Sequence, residues 1–194
     1  MDYYKLRITG EKKVWRKYFT YAERFFINEE ETKFTVAYFK NIENSFTIEA
    51  LNDKGIVLNE SDFFKKKMAE FSVIERILFV RKSVLNRAVF TDIKGILFNE
   101  VNVRGKFSDS YLLLNFTTAV NCINESKSIK ASFEFFSTLV LDKSKIPMEV
   151  DGFFLKDWDK YGGFSCIVNE KLKDTLLTLE KAKEFLIFDR IECE

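Results

Sequence analysis

The spacing of apolar positions changes period twice within residues 164–193. A short apolar run over residues 164–168 is followed by Leu172, Leu176 and Leu179 at i, i+4 and i+7, and a second apolar run returns over residues 184–191. The outer stretches read as strands. The middle reads as an amphipathic helix, because that spacing stacks three leucines on one face. Strand, helix, strand is the smallest unit that buries both a sheet face and a helix stripe, so it is expected to anchor the fold. The same order is predicted upstream. Residues 77–80 read as a strand, Ser83 caps a helix over residues 84–90, and Gly95 breaks the chain before a strand over residues 96–101.

Elsewhere the pattern favours strands. Residues 3–9 alternate and read as a first strand, and β-rich runs at 32–39 and 45–50 read as a hairpin or meander. Asn52, Asp53, Lys54 and Gly55 signal a turn before a short strand at 56–58. Ser61 and Asp62 precede a predicted short helix over residues 63–71, with Phe63, Phe64 and Met68 inward and Lys65, Lys66 and Lys67 outward. Residues 111–116, 133–141 and 152–155 read as strands. Polar breaks fall at residues 125–128 and at Asp142-Lys143-Ser144, the second followed by the sole proline, Pro147. The expected class is therefore α+β: mixed, mostly antiparallel sheets with a few short helices and two strand-helix-strand units. With seven glycines and one proline there is no place for a linker, so residues 1–194 are expected to form a single domain. An N-terminal lobe, 1–106, and a C-terminal lobe, 107–194, would then share one core.

Composition narrows the function. An apolar content of 46% with 22 phenylalanines predicts a well-buried interior. Basic and acidic residues nearly cancel, 31 against 30, so bulk charge does not imply nucleic acid. Residues 61–106 are nevertheless rich in basic groups and residues 142–194 in acidic ones; such an asymmetry is in most proteins an ordinary solvated face, and otherwise a dipole that would steer a charged protein partner. There is no histidine, which removes the commonest general base near neutral pH and the commonest transition-metal ligand. No phosphate-cradling glycine loop, nucleophile elbow or metalloprotease motif occurs, and Asp157 with Asp159 alone is a weak metal signal. The expectation is a non-enzyme with no cofactor and no metal. Cys122, Cys166 and Cys193 are odd in number and far apart, which suits a reducing compartment. No signal peptide or membrane-spanning run is read, so a cytoplasmic location is expected and no membrane partner.

Several blocks share their order and spacing with a known family. They are Tyr111-Leu112-Leu113-Leu114-Asn115-Phe116, then Val120 to Ser128 (VNCINESKS), and Leu139 to Pro147 (LVLDKSKIP). Phe153-Phe154-Leu155, Ile167 to Asp174 (IVNEKLKD) and Glu184-Phe185 complete the series. In these blocks the chain resembles a bacterial family of polymorphic-toxin immunity proteins, number eleven of the Imm series. The resemblance implies a small protein encoded beside a toxin, which binds that cognate toxin and neutralises it, with no catalytic residues. An inhibitor of this kind needs a rigid body and an exposed patch of aromatic anchors with a charged rim. The loop containing Asp157, Trp158, Asp159 and Tyr161 is the candidate patch, unless Trp158 and Tyr161 tuck into the core. Two other readings stay open. One is a phage- or host-encoded inhibitor of another defence system. The other is a nucleic-acid-binding module using Trp15, Tyr18, Phe19, Tyr21, Phe25 and Phe26 interleaved with Lys13, Arg16, Lys17 and Arg24. Oligomeric state is not legible.

Overall fold

A computed structural model describes residues 1–9, 11, 18–19, 24–27, 30–32, 46–49, 67–68, 70–74, 77–104, 109–132, 135–155 and 165–194. In chain order the early strands are β1 (Tyr3–Ile8), β2 (Tyr18–Phe19), β3 (Arg24–Ile27), β4 (Glu30–Thr32), β5 (Phe46–Glu49), β6 (Lys67–Met68), β7 (Phe71–Ile74) and β8 (Ile77–Arg81). Next come β9 (Ile96–Arg104), β10 (Asp109–Phe116), β11 (Ala119–Val120), β12 (Ile129–Ser132), β13 (Phe135–Thr138) and β14 (Val140–Leu141). The chain closes with β15 (Gly152–Leu155), β16 (Cys166–Asn169), α1 (Glu170–Leu177), α2 (Ala182–Phe185) and β17 (Leu186–Cys193). Among the described residues, one sheet has six strands in the order β11-β15-β16-β1-β17-β14. A second has seven in the order β4-β3-β5-β9-β10-β8-β7, while β12 with β13 and β2 with β6 pair separately. The class is α+β and sheet-dominated. No described helix is long and apolar enough to cross a membrane.

The expected C-terminal anchor forms, with three differences: α1 ends at Leu177, before Leu179; Glu184 and Phe185, expected to open the returning strand, close α2 instead; and β1 is inserted into the unit. Strand β1 lies between β16 and β17, antiparallel to each, from Tyr3↔Asn169 to Leu6↔Cys166 on one side and from Tyr3↔Ile191 to Ile8↔Leu186 on the other. The two strands flanking the helical connection are therefore parallel to each other but separated. Side-chain alternation between two cores explains why β15 and β16 are buried at every position. Leu6, Phe154, Cys166, Val168 and Leu186 face one core, which α1 covers with Leu172 and Leu176. Tyr3, Phe153, Leu155, Ile167 and Ile191 face a second core with Cys122, Ile123, Leu141 and Ile146. A strand covered on both faces reads as a continuous apolar run. The first core also joins the two sheets. Phe116 of β10 meets Phe154 of β15 edge to face at 5.0 Å, and Phe71 of β7 lies 5.7 Å from Phe185 of α2.

One polar network is sunk beside this core. The Asn169 side-chain oxygen accepts from the Leu172 amide at 2.9 Å, capping α1, and its Nδ2 donates to Asp151 Oδ1 at 2.7 Å. Asp151 Oδ2 accepts from the Lys94 amide at 2.7 Å. The helix start is thereby tied to the loop before β9, and the side chains of Asn169 and Asp151 have the partners that their burial requires.

Three further sequence expectations change. The helix expected over 84–90 is a 3₁₀ turn, Arg87–Phe90, capped by Asn86 and not by Ser83. Strands β8 and β9 nevertheless flank β10, which is antiparallel to both. Of the helix expected over 63–71, residues 63–66 and 69 lie outside the described set. Met68 lies in β6 and Phe71 opens β7, so both are in strands, where β-ladder pairing overrides a weak helical spacing. The single strand expected over 133–141 is broken at Leu139: β13 pairs with β12, whereas β14 joins the edge of the six-stranded sheet. Expectations for residues 33–45 and 50–66 lie outside the described residues.

Candidate functional site

Asp157, Trp158, Asp159 and Tyr161 lie outside the described residues, as do residues 12–17 and 20–23 of the aromatic and basic segment. Of that segment, Tyr18 and Phe19 form β2, and Arg24, Phe25 and Phe26 belong to β3. The site that the described residues build lies at the β14 edge of the six-stranded sheet. There Cys122, Ile123, Leu141 and Ile146 are buried, while the residues beside them, Glu125, Ser126, Lys127, Lys143, Ser144 and Lys145, are exposed. Two polar loops thus stand on one apolar floor.

Hydrogen bonds fix the loops to each other. The Asp142 amide donates to the Cys122 carbonyl at 2.7 Å and the Asn124 amide to the Val140 carbonyl at 2.9 Å. The Ser128 hydroxyl accepts from the Val140 amide at 3.0 Å and donates to the Val140 carbonyl at 3.2 Å. A side chain therefore does for the outer edge of β14 what a further strand would do. Each loop is also closed on itself. Ser126 Oγ donates to Asn124 Oδ1 at 2.7 Å, and Asp142 Oδ1 accepts from the Ser144 amide at 3.1 Å and its hydroxyl at 2.6 Å. Aspartate and asparagine favour such turns because a short side chain can bond the backbone two residues on. Glu194 clamps both loops: its amide donates to the Leu141 carbonyl at 3.0 Å, its carbonyl accepts from the Lys143 amide at 2.8 Å, and its carboxylate pairs with Lys127.

The 3₁₀ turn Lys143–Lys145 separates two open clefts. One, of about 500 Å³, is lined by Asp2, Lys143, Arg190, Glu192 and Cys193, with Arg190 Nη2 2.9 Å from Asp2 Oδ2. The other, of about 430 Å³, is lined by Asn121, Asn124, Glu125, Ser126, Asp142 and Lys145. Asp142 titrates below the usual carboxylate range because the Ser144 hydroxyl, and then the Lys145 ammonium at 3.2 Å, favour its charged form. The thiols move the other way. Burial pushes Cys166 up to about 12, and burial also raises Cys193, an effect partly offset by Lys143. A thiol held protonated is a poor nucleophile and metal ligand. Among the described residues, no three cysteine, aspartate or glutamate side chains converge as a metal site would need. The two loops present donors, acceptors and charges of both signs side by side.

Sequence reasoning read residues 125–128 and 142–144 only as polar breaks. The signal was there, in Asn124-Glu125-Ser126 and Asp142-Lys143-Ser144, two Asx-Xaa-Ser turns of the same form. What was missing was their adjacency, which depends on Ile123 bridging to Leu141. Comparison of the sequence with models of known families matches none, and comparison with curated proteins finds no relative.

Proposed function

We propose that this chain is an immunity protein, which binds a cognate toxin of a bacterial polymorphic toxin system and blocks it without transforming a substrate. It would act in the cytoplasm, where its three thiols stay reduced. The observation that carries this reading is the way the resembling blocks assemble. Dispersed between residues 111 and 185, they become β10, β11 with its loop, β14 with its 3₁₀ turn, β15, β16 with α1, and the end of α2. Together they make one buried framework with one rigid polar ridge. That combination suits an inhibitor, whose affinity depends on losing little conformational freedom when it binds. The test is survival. The toxin encoded beside this chain is expressed in a susceptible bacterium with and without it; rescue is expected, and equal killing in both cultures would sink the reading.

A further inference from the structure

We infer that the ridge made by residues 121–128 and 142–146 is the surface on which the protein partner docks. The inference rests on the proposed toxin-binding function and adds the place and manner of contact. Three observations carry it.

The first is rigidity. Ser126, Ser128, Asp142 and Ser144 each spend their side-chain oxygens on fixing a turn or on the edge of β14. The exposed groups between them, Glu125, Lys143 and Lys145, are left on preformed loops, which reduces the ordering cost of association.

The second is the company of exposed apolar side chains. Ile129, 60% exposed, directly follows the Ser128 strap; Met148, 95% exposed, stands two residues beyond the buried Ile146. Met1, 66% exposed, lines the cleft that Lys143 shares. An interface joins a few apolar anchors to a polar rim, and methionine adapts readily to an irregular partner surface.

The third is the charge pattern. Glu125 and Lys127, Asp142 and Lys143, and Arg190 and Glu192 alternate in sign within a few residues of one another. A polyanion or an acidic membrane selects a patch of one sign. Interleaved signs fit a protein surface of complementary pattern and suppress wrong partners. Docking is through side chains and not by strand addition, since Asn124 and Ser128 already occupy the outer edge of β14.

The probe is the purified toxin domain encoded beside this chain, carried as an inactive variant, with affinity measured by calorimetry. The full chain is compared with a ridge variant bearing Glu125→Lys, Lys143→Glu and Met148→Asp. A control bears Glu180→Lys, on the exposed connection between α1 and α2. All three substituted side chains, Glu125 and Lys143 on the ridge and Met148 two residues past its end, are exposed, so the ridge variant is expected to melt with the parent. It should lose about thirtyfold or more in affinity, as at an interface hot spot, with the control unchanged. In the parent complex, amide exchange should slow over residues 124–128 and 143–146. A folded ridge variant that binds within about threefold of the parent would overturn docking at the ridge and leave the toxin-binding reading standing. A parent chain that does not bind the toxin domain would overturn both.

Discussion

Asn169 holds two structures at once, and replacing it separates their contributions. In Asn169→Ala the Leu172 amide loses its cap and Asp151 loses the donor at 2.7 Å. A lost N-cap costs about 1 kcal/mol, and a lost hydrogen bond to a buried charged group about 1.5–3 kcal/mol. The sum is about 3 kcal/mol, which at a urea m-value of about 2 kcal/mol/M moves the midpoint down by about 1.5 M. Asn169→Asp is the sharper test. It keeps an oxygen for the Leu172 amide but sets a second carboxylate against Asp151. Like charges so close cannot both ionise without cost, so the pair takes up a proton at a folded pKa above its unfolded value. A raised folded pKa contributes stability that is present below the unfolded value and lost as pH rises through the folded one. The Asp variant should therefore be as unstable as the Ala variant at pH 7 and recover towards wild type as pH falls to 5. Urea melts at the two pH values decide it. An Asp variant as stable as wild type at pH 7, or an Ala midpoint that hardly moves, would refute the shared-anchor account.

Four further outcomes are expected. Gly152→Ala puts a Cβ 2.2 Å from Phe116 Cε1 and 2.8 Å from Leu172 Cδ2; neither buried side chain can retreat, so overpacking should cost about 3 kcal/mol in a denaturant melt. Ser128→Ala strips the buried Val140 amide of its acceptor, at about 1–3 kcal/mol, and amide exchange should rise first over residues 124–128. In the native protein Cys193 should react with a thiol reagent well before Cys166, which burial holds near 12; equal labelling rates would contradict the packing described. Because Asp142 has a depressed folded pKa, its contribution to the Lys143–Lys145 turn is present above the normal carboxylate range. It should be lost as pH falls through that depressed value, read as faster exchange at Ser144 with β1 and β17 still protected.

The amino-acid sequence by itself determined those elements whose apolar period is long and local. Leu172 and Leu176 specify a helix whatever lies beneath them, and Leu179, the third leucine of the spacing, is buried just past its end. The runs at 111–116 and 152–155 specify strands covered on both faces. Short-range signals with competing partners were not decisive. Met68 and Phe71 fell within a run read as a helix and lie in strands, and the run read as one strand over 133–141 supplies β13 and β14 to two different sheets because each found a different neighbour. Tertiary structure alone decided that β1 enters between β16 and β17, since nothing near residues 3–8 encodes a partner 160 or more positions away. It alone decided the ridge as well. Two ordinary serine turns become one surface only when Ile123, Leu141 and Ile146 share an apolar floor, and that floor exists because burying them together removes more surface from water than burying each apart.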